Sequence, residues 1–225
     1  QRDIVSDASL RAVVTPPGRE GAGMNPYQVT RDFEAALCDY TGAPYAVALN
    51  SCSAALLLAI VWMRRHGGAI TSNVNLPRRT YVSVPCAAKL AGAGVSWRDE
   101  NWRGTYQLKP LPVWDSARRF TSGMYVAGQF QCVSFATTKI LGIEQGGAIL
   151  HDNAEADVWF RKARFDGRTE GVDPKDDTFD VIGYHCLMLP SIAAQLILKL
   201  HHLPRHNDDL PDYPYPDLSL HPAFR

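Results

Sequence analysis

Residues 45–65 read YAVALNSCSAALLLAIVWMRR and place three patterns in direct succession. Residues 45–49 are a short apolar run that predicts a buried strand, and residues 50–53 are a polar turn. Residues 54–65 are strongly apolar over a length typical of a helix. A buried strand, a serine-rich turn and a helix in tight succession predict an α/β protein.

The same alternation continues along the rest of the chain. Further strands are predicted near residues 69–77, 94–98, 111–114, 131–135 and 147–150, and helices over residues 27–40, 81–91, 154–165 and 191–202. Because parallel strands need crossover connections, this order predicts a three-layer αβα sandwich around a mainly parallel sheet. The short connection between the last two strands predicts at least one antiparallel, hairpin-like neighbour.

Three ranges of different composition organise the chain of 225 residues. Residues 1–26 are rich in proline and glycine and predict an N-terminal arm. Residues 27–203 carry the predicted strands and helices and are expected to form one large domain. Residues 204–225 contain five prolines, which exclude a helical subdomain and predict an extended tail.

The charges of the chain balance, with 23 Lys and Arg residues against 23 Asp and Glu residues, a formal net charge of 23 − 23 = 0. A dedicated nucleic-acid binder needs a basic surplus, so this balance disfavours that class while leaving room for a local basic patch. The longest apolar run, residues 54–63, is too short to span a membrane, which takes about 20 residues. No signal-peptide pattern is visible, and five cysteines without a C-x-x-C pair favour a reduced, cytoplasmic compartment.

A histidine cluster near residue 204 resembles a metal site at first sight. His202 and His206 are four positions apart, but Pro204 interrupts the helix between them. A solvated helix end, where the helix dipole favours positive charge, explains His201 and His202 better. No metal is therefore expected.

Polar residues follow the predicted strands at their carboxyl ends, where ligands bind in open α/β sheets. Each residue alone also fits an ordinary structural role, such as a helix cap or a surface charge. Together they match pyridoxal 5′-phosphate (PLP), which needs a lysine, an acid for its ring nitrogen, an anion site and an aromatic face. The residues are Ser51, Cys52, Ser53, Thr80, Tyr81, Asp115, Ser134 and Lys139.

At these positions the sequence resembles the DegT/DnrJ/EryC1/StrS family of sugar aminotransferases, in the fold type I group of PLP enzymes. The resemblance covers about residues 27–203 and keeps the order and similar spacing of the family motifs. It implies a PLP-binding large domain over that range, without the C-terminal small domain that family members carry. Substrate contacts would then be absent, or would come from the tail, a partner subunit or another protein. The matching segments are residues 33–43, 50–56, 77–83, 115–117, 134–147 and 183–198.

The resemblance implies a catalytic role for two residues. Lys139 would form the Schiff base with the cofactor and then carry the proton between substrate and cofactor. Asp115 would keep the pyridine nitrogen protonated, so that the ring acts as an electron sink. Tyr81 would stack on the ring.

The resemblance also implies an anion site and a homodimer with shared active sites. His185 takes the place of a family asparagine that reaches a phosphate across the dimer interface. Arg118 stands where a glutamine usually approaches the 3′-oxygen of the cofactor, and it could pair with that oxygen or bind a carboxylate. Cys52 replaces a family glycine, so the turn must accommodate a β-carbon near the phosphate. The implied phosphate ligands are Ser51, Cys52, Ser53 and Ser134.

The implied activity is transfer of an amino group from a glutamate-like donor to a keto group of a nucleotide-sugar-like acceptor. One alternative is another PLP reaction, such as dehydration, decarboxylation or amine oxidation, on a large or polymer-bound substrate such as a modified nucleobase. Another is a non-catalytic partner subunit. The dehydratase branch of the family replaces the lysine with histidine, so Lys139 favours transamination.

Overall fold

The computed structural model describes residue 25, residues 27–66 and residues 73–224. Apart from Asn25, the predicted arm at residues 1–26 lies outside the described residues. The beginning of the strand predicted at residues 69–77 also lies outside them.

Helices and strands alternate through the described residues, which confirms the predicted α/β class. The α-helices are α1 (Gln28–Thr41), α2 (Cys52–His66), α3 (Ser83–Leu90), α4 (Ala154–Ala163) and α5 (Pro190–His201). The strands are β1 (Tyr45–Leu49), β2 (Asn73–Pro77), β3 (Gly94–Arg98), β4 (Tyr106–Gln107), β5 (Val113–Asp115), β6 (Phe130–Ser134) and β7 (Gly147–His151).

The sheet is mixed, which corrects the expectation of a mainly parallel one. The strands of a five-stranded sheet follow the order β1-β7-β6-β5-β4, and only the β5–β6 pair in it is parallel. Strands β6 and β7 are joined without a helix, as are β4 and β5, so each pair returns antiparallel. Strands β2 and β3, joined through α3, form a separate parallel pair.

The five-stranded sheet is buried on both faces, and its side chains alternate between two hydrophobic clusters. In β1, Val47 and Leu49 pack in the cluster that contains residues of α2 and α4. Ala46 and Ala48 pack in the cluster that contains residues of α1 and α5. Because successive side chains of a strand point to opposite faces, this division confirms the predicted three-layer αβα arrangement.

A buried ion network ties α1 to β1 and α4. Glu34 accepts hydrogen bonds from the backbone N–H of Ala48 at 2.8 Å and from Arg161 at 2.7 Å, and it also pairs with Arg164. Arg164 in turn donates to Glu170 at 2.7 Å. The exposed fractions of the Glu34, Arg164 and Glu170 side chains are 5%, 1% and 4%, so loss of any one partner would leave a buried charge without compensation.

After α5 the chain returns across the sheet edge without forming an α-helix or a strand. Tyr40 donates a hydrogen bond to the carbonyl of Pro204 at 2.5 Å, and Leu218 and Phe224 are buried. We call residues 209–218 the strap. The strap lies beside the carboxyl ends of the strands, where it borders the candidate site.

Candidate active site

A cavity of about 740 Å³ opens at the carboxyl ends of β1, β5 and β6, within the size range of small-molecule sites. These three strands run in the same direction, so their carboxyl ends meet at one edge of the sheet. The predicted site residues that line this cavity are Ser51, Cys52, Ser53, Tyr81, Asp115, Arg118, Ser134 and Lys139.

The serine-rich turn leads directly into α2, whose first residue is Cys52. Ser51 caps this helix, because its Oγ accepts a hydrogen bond from the N–H of Ala54 at 3.1 Å. Ser53 Oγ donates to Ser83 Oγ at 2.7 Å. The first N–H groups of a helix have no partner within it, and the helix dipole makes that end positive, so the turn presents an anion site to the cavity.

Gly147 allows β7 to approach the start of α2 closely. A β-carbon at this position would lie 2.3 Å from the backbone nitrogen of Cys52, well inside van der Waals contact. The glycine at position 147, at the end of the matching segment 134–147, therefore has a steric reason, since any side chain there would displace the anion-binding turn.

Asp115 ends β5 with its carboxylate buried and held from two sides. Its Oδ1 accepts from the N–H of Ala117 at 2.9 Å, and its Oδ2 accepts from the hydroxyl of Tyr106 at 3.0 Å. The register places Tyr106 directly opposite Asp115, and Thr80 hydrogen-bonds the same tyrosine hydroxyl. Burial raises the pKa of Asp115, although both hydrogen bonds and the charge of Lys139 act to lower it.

Lys139 lies in the turn that follows β6. Its N–H donates to the carbonyl of Ala136 at 2.8 Å, and the turn closes tightly over Gly142, where a β-carbon would lie 2.6 Å from the carbonyl oxygen of Lys139. Burial lowers the pKa of Lys139, and the nearby charge of Arg118 lowers it further, while Asp115 opposes the change. An amine with a lowered pKa is a better nucleophile at neutral pH.

Arg118 and Tyr81 form the outer part of the cavity. The guanidinium of Arg118 donates to the carbonyl oxygen of Pro211 in the strap. The ring of Tyr81 is 58% exposed and meets the ring of Tyr215 edge-on, with centroids 6.4 Å apart. Both residues therefore contact the strap as well as the cavity.

His185 is not part of this cavity lining. Its side chain is 80% exposed, and its Nδ1 lies 2.9 Å from the carboxylate of Asp166. A role in this cavity would require a second copy of the chain, as the resemblance implies.

Among the described residues, no three His, Cys, Asp or Glu side chains are arranged to hold a metal ion. His206 lies 3.4 Å from Asp208, and both side chains are exposed. Within the same residues, no helix is long and apolar enough to cross a membrane.

Several cavity residues were not identified as functional from the sequence. Trp102 lines the cavity and Tyr106 holds Asp115, and neither carries a local sequence signal for a site, while the strap is predicted only as an extended tail. Tyr106 pairs with Asp115 only through the two-residue strand β4, which is too short to give a sequence pattern. The strap also reaches the cavity through tertiary packing that leaves no sequence pattern. Its residues that line the cavity are Leu210, Pro211, Asp212, Tyr213 and Tyr215.

The residues present fit PLP. Asp115 is buried and its burial raises its pKa, so a protonated ring nitrogen would supply a positive partner for its carboxylate. Lys139 offers an amine with a lowered pKa in the same cavity. The start of α2 offers an anion site, and Tyr81 an aromatic face.

The three-layer sandwich with its cavity at the strand ends is the fold of type I PLP enzymes. Residues 10–123, about half of the chain, match the model of the DegT/DnrJ/EryC1/StrS aminotransferase family. The chain belongs to this family, which confirms the resemblance seen in the sequence. The matched range contains Asp115 and ends before Lys139. No curated protein sequence matches the chain.

Solved structures support the same fold at low sequence identity. The sugar aminotransferase CalS13 from Micromonospora echinospora superposes with a TM-score of 0.66 and 17% identity over 78% of this chain and 60% of that one. GDP-4-keto-6-deoxymannose-3-dehydratase, solved with bound GDP-perosamine, superposes with a TM-score of 0.64 and 15% identity over 79% of this chain and 61% of that one. A sugar aminotransferase structure from Streptococcus pneumoniae in its PLP form superposes with a TM-score of 0.61 and 20% identity over 83% of this chain and 62% of that one. The chain thus spans about 60% of the length of these structures.

Proposed function

We propose that this chain binds PLP in the strand-edge cavity and transfers an amino group from a glutamate-like donor to a keto group of a sugar-like acceptor. One observation carries the proposal. An amine with a lowered pKa, a buried carboxylate and a helix N-terminus all face one cavity of about 740 Å³. Membership of an aminotransferase family supports it.

PLP, when bound, supplies an aldehyde for covalent capture of amines and a ring that accepts electrons from the substrate. Lys139 would hold the aldehyde carbon and carry a proton at its Nζ. Burial and Arg118 lower the pKa of this amine, so it spends more time as a neutral base.

Asp115 would hold a proton on the ring nitrogen. Tyr106 and Ala117 fix the carboxylate from two sides, so only a narrow range of orientations is open to it. Ser53, Ser134 and the first N–H groups of α2 would hold the phosphate, and the ring of Tyr81 would cover the cofactor face.

A homodimer with shared active sites is part of the proposal. His185 is exposed outside its own cavity, as a residue that reaches a partner's phosphate must be. Free thiols at all five cysteines support a reduced, cytoplasmic setting.

Dehydration is the second candidate function, because a dehydratase is among the fold neighbours. The two reactions differ in their products. Transamination consumes glutamate and yields 2-oxoglutarate, whereas dehydration leaves no aminated product. The presence of Lys139 favours transamination.

The test replaces the lysine. Lys139→Ala is expected to abolish the visible absorbance band of protein-bound PLP and to slow amino transfer from glutamate by at least about 10²–10⁴-fold, the scale of a lost acid–base group. Lys175→Ala, whose side chain is 74% exposed and is not part of the cavity lining, is the matched control and should keep both. A wild-type chain that remains colourless with PLP would refute the proposal, and an unchanged band in Lys139→Ala would refute the lysine assignment.

A further inference from the structure

The strap is fixed to the domain at both ends. At one end Asp209 accepts two hydrogen bonds from Arg119, at 2.8 and 2.7 Å, and the N–H of Leu210 donates to the carbonyl of Arg118 at 2.9 Å. At the other end the buried residue Leu218 donates its N–H to the carbonyl of Arg78 at 2.9 Å. The residues between these anchors therefore cross a fixed gap at the cavity mouth.

The crossing segment is stiff. Of the six residues 211–216, three are prolines, which fix the backbone dihedral φ and restrict the residue before each of them. A segment that is anchored at both ends and stiff between them loses little conformational entropy when a ligand binds against it. It therefore suits a fixed wall of a site better than a mobile cover.

The crossing residues turn aromatic rings toward the cavity. Tyr213 and Tyr215 both line it, with ring centroids 4.8 Å apart. Tyr215 stacks on Trp102 at 5.9 Å with an interplanar angle of 17°, and Trp102 is held by a hydrogen bond from its Nε1 to the carbonyl of Arg79 at 2.9 Å. The guanidinium of Arg118 lies over the ring of Tyr213, 5.9 Å from its centroid.

We propose that the strap is the acceptor-side wall of the site, and that Tyr213 and Tyr215 determine specificity by stacking against a flat or sugar ring of the acceptor. This chain would thus supply from its own tail substrate contacts that the sequence comparison left unassigned. The proposal rests on the proposed function for the identity of the reaction. Neither tyrosine belongs to the predicted PLP ligands, but Tyr215 contacts Tyr81 and Tyr213 lies under Arg118, so probe binding is measured both with and without PLP.

The ring that stacks could be the base or the sugar of a nucleotide-sugar, and the two sources can be separated by choice of probe. Stacking on aromatic side chains depends little on which base is present. The probes are GDP-mannose, GDP and mannose, titrated by calorimetry into the chain with and without PLP. If the base stacks, GDP should bind in the same way as GDP-mannose, and if the sugar stacks, GDP should bind much more weakly.

The decisive variant is Tyr213→Ala/Tyr215→Ala, expected to weaken GDP-mannose binding about tenfold or more. Tyr213→Phe/Tyr215→Phe keeps both ring faces and should bind within about twofold of the wild type, since stacking needs no hydroxyl. Thermal melting checks that both variants fold, and Tyr213 is already 60% exposed.

Two results would contradict the proposal that the strap is the acceptor-side wall of the site. One is wild-type affinity for all three probes in the double alanine variant, and the other is no binding of any probe by the wild type. Failure of the proposed function has a different signature, namely no PLP absorbance band with probe binding intact. Loss of probe binding in the double alanine variant with a normal PLP band is the result expected if both proposals hold.

Discussion

The hydroxyl of Tyr106 lies between Thr80 and the carboxylate of Asp115, and all three residues are buried. Burial disfavours an ionised carboxylate, so the apo protein gains stability from this group at low pH, where Asp115 is protonated in the folded and unfolded states. It loses that stability as the pH rises through the raised folded pKa. The hydrogen bond from Tyr106 lowers that pKa and so limits the loss.

Tyr106→Phe removes this donor and leaves the Thr80 hydroxyl without its partner. We expect a loss of about 1.5–3 kcal/mol in the free energy of unfolding at a pH above the raised pKa of Asp115, the range for a hydrogen bond to a charged group. The loss should be smaller at a pH below the usual aspartate pKa, where the bond is no longer charged. Urea unfolding at the two pH values measures both.

Tyr45→Phe is the control for that experiment, because among the described residues the Tyr45 hydroxyl makes no hydrogen bond. It should cost little at either pH. Equal losses for Tyr106→Phe at high and low pH would contradict a role in holding the ionised carboxylate and would leave only a packing role. Reduced PLP affinity in Tyr106→Phe would show that the positioning matters to the cofactor as well.

At the scale of elements, the site depends on how closely β7 approaches the beginning of α2. Neither element alone carries the anion site, since the N–H groups of the turn are aimed by its contact with the strand. Gly147 makes this contact possible, because a β-carbon there would lie 2.3 Å from the backbone nitrogen of Cys52.

Gly147→Ala should therefore displace the turn and weaken PLP binding at least about tenfold, while secondary structure is retained. Equilibrium dialysis against PLP and far-ultraviolet circular dichroism measure the two effects. Gly128→Ala is a control with open space around the added methyl, although its positive φ of 78° brings a modest strain cost. PLP binding in Gly147→Ala as tight as in the wild type would show that the turn does not hold the phosphate.

Elements with a clear pattern of apolar residues could be predicted from the sequence. Elements whose position depends on a partner strand could not. The apolar run of β1, the turn at residues 50–53 and α2 each carry a local signal, so the predicted strand-turn-helix agrees with the structure. Strand β4 has two residues and gains its place only from its partner β5. The strap's prolines exclude a helix but say nothing about where the segment packs.

The candidate site divides in the same way. Residues directly after a strand end could be gathered from sequence, because strand ends of one direction meet at one edge, and Asp115, Ser134 and Lys139 do line one cavity. Tyr106 holds Asp115 through a hairpin register, and Tyr213 and Tyr215 reach the same cavity through a returning tail. Both are tertiary facts that no local pattern encodes.

At the scale of the whole molecule, His185 is a predicted site residue that its own chain does not bring to the cavity. If a homodimer brings it to the partner's phosphate, His185→Ala should weaken PLP binding by about 10–100-fold, the cost of a lost hydrogen bond to a charged group. Folding should be unaffected, because the side chain is 80% exposed. Sedimentation velocity measures the mass, and equilibrium dialysis measures PLP binding.

His206→Ala is the matched control, since its side chain is 85% exposed and lies outside the motif. It should bind PLP like the wild type. A monomer in solution, or an unchanged affinity in His185→Ala, would rule out the shared site. Similar losses in both variants would point to a general effect of surface charge.

The pairing of β1 with β7 constrains how the protein is made. Tyr45 pairs with His151, so the two partners are 151 − 45 = 106 positions apart. At about 5–20 residues per second, a ribosome needs roughly 5–20 s to deliver the second strand after the first. During that interval β1 and the apolar helix α2 lack the strand against which they pack, so the nascent chain exposes apolar surface. Strand β1, which leads into the turn of the cofactor site, therefore gains its sheet partner only late in synthesis.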